Sequence, residues 1–203
     1  MNGGFEEVLA PNLYYDRHFD MDAVKILPGE YYVSNRDLLM VTVLGSCVGA
    51  CVRDRVSGIG GINHFMLPDD KREEDEQFGR SMRYGDYAME MLINQLLKLG
   101  ARRHNLEAKV FGGGNVLPGF KNNMVGERNA NFVIDYLDTE GIPLVARDLL
   151  GNYPRKIYFF PSSGKVLVKR LRSLHNDTII ERELTYRQRL RQSKVEGEVE
   201  LFS

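Results

Sequence analysis

LGSCVGACVRDRVSGIGGINHFMLP, residues 44–68, decides how this chain is read. Val48, Ala50 and Val52 alternate with the period of a strand, the glycines between Gly58 and Gly61 turn the chain, and Ile62–Leu67 returns as a second apolar strand. The two form a buried hairpin whose antiparallel pairing carries His64 toward the Cys47 end of its neighbour.

Upstream, Leu38–Leu44 reads as a strand running straight into Gly45–Ser46–Cys47, and Ala23–Leu27, a Pro28–Gly29 turn and Tyr31–Val33 precede it. Residues 1–20 mix Gly, Pro, Asn and charge without a period and are expected to be a loosely ordered arm. Downstream, DDKREEDEQ (69–77) carries eight charges in nine residues and reads as a solvated loop. Residues 81–99 space Tyr84, Ala88, Leu92, Leu96 and Leu99 as one helical face, with Gly100 as the cap. A strand at Leu106–Phe111, a helix at Arg128–Glu140 closed by Gly141 and a strand at Leu144–Asp148 follow. Ile157–Phe160 and Lys165–Leu171 make a hairpin through Pro161–Gly164, and Thr178–Leu184 is read as a last strand.

Hairpins outnumber strand–helix–strand crossovers. The expected fold is therefore an α/β (α+β) single layered domain with mixed or antiparallel sheets covered by two to three helices, not a doubly wound parallel sheet. The catalytic domain is assigned to residues 21–190 and a polar tail to 191–203. With 43% apolar and 27% charged residues among 203, the chain can bury one core. Its 27 basic and 28 acidic residues create no single-sign field to draw in nucleic acid or an anionic membrane. The N-terminus lacks a basic segment followed by an apolar one, and no stretch is apolar enough to span a bilayer, so a cytoplasmic location is expected.

Two cysteines occur, Cys47 and Cys51. On a strand their Cα atoms would lie about 13 Å apart, too far for a disulfide. Cys51 reads as a small core residue. Cys47 differs because Gly45–Ser46 precedes it and Val48–Gly49 follows, leaving backbone and amide N–H groups open to a substrate and able to hold an oxyanion. A thiol is mostly protonated at neutral pH and needs an adjacent base. Among His18, His64, His104 and His175, only His64 lies in an apolar strand beside that of Cys47. A core histidine satisfied by a carbonyl is the competing reading. Metal-ligand spacing is missing, so neither metal nor cofactor is expected. Gly112–Gly114 lacks the spacing and the Gly-Lys-Ser/Thr of a phosphate loop and reads as a site of close backbone packing or a substrate rim.

LGSCVGACVRD (44–54), GGINHFMLP (60–68), RYGDYAMEMLINQLLKLGA (83–101), KVFGGGNV (109–116), GERNANFV (126–133) and LLGNYPRKIYFFPSSGKVLVKRL (149–171), in that order, closely resemble the chemoreceptor glutamine deamidases of bacterial chemotaxis, the CheD family. The resemblance covers residues 12–203. It implies a fold like that of bacterial deamidase toxins and a cysteine-dependent amidohydrolase that turns glutamines of methyl-accepting chemotaxis receptors into glutamates open to methylation. Carried over, Cys47 matches the nucleophile and His64 the general base. Thr42 matches a threonine that precedes the cysteine, with Asn63 or a backbone carbonyl as the alternative group orienting His64. Ser46, Asn63, Gly113, Gly114 and Asn115 are the candidate substrate-binding residues. Receptors are the implied partners, with a CheC-type phosphatase as a further one. Two other readings share these residues: a non-catalytic adaptor for receptors or a CheC-type phosphatase, and a different acyl-enzyme activity such as a methylesterase or transglutaminase-like transferase.

Overall fold

A computed structural model describes residues 8–68, 76–116, 124–171 and 177–192. Its strands are β1 (Val8–Leu9), β2 (Asn12–Asp16), β3 (Met21–Ile26), β4 (Glu30–Ser34), β5 (Leu39–Leu44), β6 (Val48–Asp54), β7 (Gly60–Asn63), β8 (Leu106–Gly112), β9 (Leu144–Leu149), β10 (Arg155–Phe160) and β11 (Lys165–Arg170). The helices are α1 (Glu76–Lys98), α2 (Met124–Thr139) and α3 (Asp177–Gln192). The charged run expected as a loop falls, at residues 69–75, outside the described residues, as do residues 1–7 and the tail from 193 onward.

Two mixed sheets form, in the orders β1-β4-β7-β6-β8-β9 and β11-β10-β5-β3-β2. Most neighbours are antiparallel, and the exceptions are β1 with β4, β3 with β5 and β8 with β9. The layered α/β reading therefore holds. Strands β1 and β2 lie inside the segment expected as a loose arm; β2 is held by full antiparallel pairing with β3.

β6 is buried along both faces. On one side it meets α1 and α2, which sit on the six-stranded sheet, and on the other a shared core links it to Val24, Ile26, Met40, Leu44 and Ile157 of the five-stranded sheet. Strand alternation divides β5 between two environments. Met40, Thr42 and Leu44 belong to the inner face, whereas Leu39 and Val41 pack outward with Ala23 beneath Phe19, Tyr158 and Phe160.

α1 buries Tyr84, Ala88, Leu92 and Leu96 as its spacing requires, but Leu99 lies beyond the last turn and is exposed. Gly100 takes a left-handed φ of 104°, which lets the Ala101 amide donate back to the Leu96 carbonyl at 3.0 Å. The β6–β7 connection is closed by Asp54, whose carboxylate accepts from the amides of Val56, Ser57 and Arg102.

One element departs from expectation in kind. Residues 178–184, read as a strand, lie within α3. The β-branched Thr178, Ile179 and Ile180 favour a strand locally, but Glu183, Tyr186, Arg187 and Leu190 are all buried at helical spacing. Tertiary packing decides the conformation.

Candidate active site

The path from β5 to β6 crosses from one sheet to the other through Gly45–Ser46–Cys47. All three carbonyls of that corner are used by the surrounding fold. The Gly45 carbonyl accepts from the Gly114 amide at 2.7 Å, that of Cys47 from the Gly113 amide at 2.8 Å, and that of Ser46 from the Asn129 side chain at 2.9 Å. With the carbonyls pointing away, the three amides converge on the other side as a nest for a negatively charged or polarised oxygen.

Gly113 and Gly114 therefore build the nest from behind. The turn they make needs glycine at 112: its φ is 109°, and a Cβ there would lie 2.1 Å from the Cys47 carbonyl oxygen. Arg155, fully buried, fixes this turn by donating to the carbonyls of Gly112, Asp148 and Leu150. Asn129 on α2 ties the corner to the chain following β7, because its carbonyl oxygen also accepts from the Leu67 amide at 2.9 Å.

β7 carries His64 to the same place. Cys51 pairs with Ile62, and the main chains of Val48 and Phe65 exchange hydrogen bonds at 2.9 Å, so the residues flanking Cys47 and His64 are locked in register. His64 is itself clamped: its amide donates to the Glu30 carbonyl and its carbonyl accepts from the Gly29 amide. The imidazole is buried, with Nδ1 2.8 Å from the Thr42 hydroxyl oxygen. The hydroxyl has one proton, and it donates that to the Ile26 carbonyl at 2.8 Å. Thr42 Oγ1 must then accept from Nδ1–H, which leaves the Nε2 lone pair as the basic end. Among the described residues Nε2 has no hydrogen-bond partner. Burial lowers the His64 pKa to about 3, opposed by the nearby Ile26 carbonyl, so the ring is neutral at physiological pH.

A residue that sequence reasoning did not single out fills the nest. Glu183, on α3 and 3% exposed, accepts from the Gly45 and Cys47 amides through Oε1 at 3.0 and 3.2 Å, and from the Ser46 amide and hydroxyl through Oε2 at 3.1 and 2.7 Å. Gly45 makes this possible, since a Cβ at that position would stand 2.6 Å from Oε1. Burial first, then the negative charge of Glu183 beside it, push the Cys47 thiol pKa well above the ordinary thiol range. Burial likewise raises Cys51.

The predicted residues thus divide. Thr42 meets His64, Ser46 and Cys47 meet Glu183, and Thr42, His64 and Glu183 line one cavity. Asn63 is fully buried with both ends of its amide engaged, accepting from the Ala50 amide and donating to the Ala88 carbonyl, which pins β6 to α1. Asn115 is exposed beyond the glycine turn, with its amide on the Gly151 carbonyl. Glu183, Asn129 and Arg155 went unnoticed. For Glu183 the available signal was the spacing of Ile179, Glu183, Tyr186 and Leu190, which is helical once a carboxylate is allowed on the inward face.

A family model described as CheD chemotactic sensory transduction matches residues 66–170. The chain is 63% identical over 202 residues to a protein of Thiobacillus denitrificans named "Probable chemoreceptor glutamine deamidase CheD", covering 100% of both chains. Proteins with the same name from Janthinobacterium sp. (62% over 198 residues, 98% of each chain) and Methylobacillus flagellatus (60% over 203 residues, 100% of each chain) are similar throughout. Full-length identity at this level, together with the family match, makes the chain a member of the CheD family.

Proposed function

We propose that this chain is a glutamine deamidase acting on chemoreceptors, with Cys47 as nucleophile and His64 as general base. The carrying observation is the convergence of the Gly45, Ser46 and Cys47 amides and the Ser46 hydroxyl on one carboxylate-sized point beside the Cys47 thiol. The relatives' names supply the substrate class, and the geometry is suited to the chemistry.

In the proposed reaction His64 Nε2 takes the thiol proton and Cys47 Sγ attacks the glutamine side-chain carbonyl. The oxygen gains charge within the amide nest, where preorganised donors are worth several kcal/mol, on the order of 3 for one such donor. The C–N bond then breaks and ammonia leaves with the proton from His64. Water, deprotonated by the same imidazole, hydrolyses the thioester and releases glutamate and the free thiol. Thr42 acts by holding His64 in the tautomer that keeps Nε2 basic.

The deamidated receptor gains a carboxylate that can be methylated, and added charge on packed helices shifts a signalling equilibrium. The test incubates the protein with cytoplasmic receptor fragments and follows glutamine-to-glutamate conversion by peptide mass spectrometry. Site-specific conversion, lost in Cys47→Ala and in His64→Ala, is expected. Conversion that survives either substitution overturns the assignment of these residues, and binding without conversion favours an adaptor.

A further inference from the structure

Glu183 is the product of the proposed reaction in miniature: a glutamate side chain on a helix, its carboxylate in the amide nest and against the nucleophile. No charged partner is needed to explain its burial. Four donors, three of them main-chain amides with no other acceptor among the described residues, account for it. The general base stands idle at the same time: among the described residues His64 Nε2 has no hydrogen-bond partner.

α3 is held over the site by more than this one residue. Tyr186 lies against Gly29, where a Cβ would come within 2.8 Å of its ring, and its hydroxyl hydrogen-bonds that of Tyr84 on α1. Leu190 is buried one turn further along. Beneath the helix a cavity of about 390 Å³ extends between α3 and the five-stranded sheet, lined by Thr42, His64 and Lys156 on one side and Ile179, Arg182 and Glu183 on the other. A substrate approaching His64 and Cys47 from this side meets α3 first.

We infer that α3 is an internal product mimic: Glu183 occupies the subsite for the substrate's reacting side chain, and the enzyme is closed to receptors until α3 lifts away. The inference rests on the deamidase reading of Cys47 and adds to it the chemistry of the occupant. Displacement of α3 frees the nest and removes the carboxylate that suppresses thiolate formation at Cys47.

The geometry also makes α3 convertible into a substrate. In Glu183→Gln the introduced carboxamide sits at the same point, except that the Ser46 amide now faces a nitrogen rather than an acceptor. Cys47 Sγ adds to its Cδ, ammonia departs with the proton that His64 carries, and water hydrolyses the thioester to restore glutamate at position 183 and the thiol.

The experiment uses the full chain, with two readouts. First, alkylation of Cys47 by iodoacetamide is timed in the parent and in Glu183→Ala, each checked for an unchanged circular dichroism spectrum. The variant is expected to react at least about tenfold faster, because the carboxylate that covers Cys47 and disfavours its thiolate is gone, and to convert receptor-fragment glutamines faster. Second, purified Glu183→Gln is followed by mass spectrometry, alone and combined with Cys47→Ala. Conversion at position 183, at a rate independent of protein concentration and abolished by Cys47→Ala, is expected.

Equal alkylation rates in a folded Glu183→Ala overturn the inference, as does a Glu183→Gln protein that deamidates receptor fragments while its own position 183 stays an amide. If Glu183→Ala does not fold, the Glu183→Gln arm decides by itself. A Cys47 newly open to alkylation, with no glutamine converted on receptor or helix by any variant, leaves α3 as the cover and overturns the deamidase reading instead.

Discussion

Replacing Thr42 by valine keeps the shape of the side chain and deletes the hydroxyl that joins Ile26 to His64. That hydroxyl makes two buried hydrogen bonds, each 2.8 Å long. A buried hydrogen bond contributes about 1 kcal/mol net, and a donor or acceptor left unpaired costs about 1–3 kcal/mol. Both the Ile26 carbonyl and Nδ1–H lose their partner, so Thr42→Val should lose about 2–3 kcal/mol of unfolding free energy. If the ring swings toward the Ile26 carbonyl, which already influences its titration, some stability returns. The swing, however, carries Nε2 away from the thiol. Turnover should therefore fall by about 100-fold or more in either case, the usual contribution of a positioned general base. Thr42→Ser should recover most of both losses. Urea unfolding gives the first quantity and receptor-fragment deamidation the second. A folded Thr42→Val enzyme with turnover within about twofold of the parent would refute the role given to the hydroxyl.

Three further outcomes follow from the same geometry. Gly112→Ala should abolish turnover and destabilise by more than about 2 kcal/mol, since it combines a left-handed φ with a Cβ inside the Cys47 carbonyl's contact distance; a soluble, fully active variant would contradict this. Asn129→Ala leaves the Leu67 amide and the Ser46 carbonyl unpaired and should lower unfolding free energy by about 1–3 kcal/mol, as measured by denaturant titration. Because burial depresses the His64 pKa to about 3, the unfolded chain binds the extra proton between that value and about 6.5. Stability should consequently fall as the pH drops through this window, by at most about 1.4 kcal/mol per pH unit from this group, and the slope in His64→Gln should be shallower; an unchanged slope would mean that His64 does not titrate this way.

Local pattern carried the hairpin well. Alternation at Val48, Ala50 and Val52 and the glycines at 58–61 were enough to bring His64 back beside Cys47, because antiparallel pairing leaves little freedom once the turn is known. The face on which Thr42 lies depended on something further away: Val41 points outward because Phe19, Tyr158 and Phe160 are there to cover it. The nest was visible only as a shortage of side chains at Gly45 and Gly49, since which amides converge is fixed by acceptors on a distant glycine turn and on α2. α3 could not be read because its first residues favour a strand and its inward face carries Glu183 and Arg187, charges that a pattern of apolar positions counts as exposed. Its helical state comes from the partners it meets.

The crossing between sheets at residues 45–47 ties reactivity to the completeness of folding. β5 is flanked by β3 and β10, and β6 by β7 and β8, so the corner between them takes shape only after strands from most of the chain have found their places. Such non-local pairing forms late and slowly. A nascent or partly folded molecule carries Cys47 as an ordinary thiol, with no aligned amides and no fixed imidazole. Turnover therefore belongs to fully assembled molecules alone, and misfolded chain in a preparation adds mass without adding deamidation.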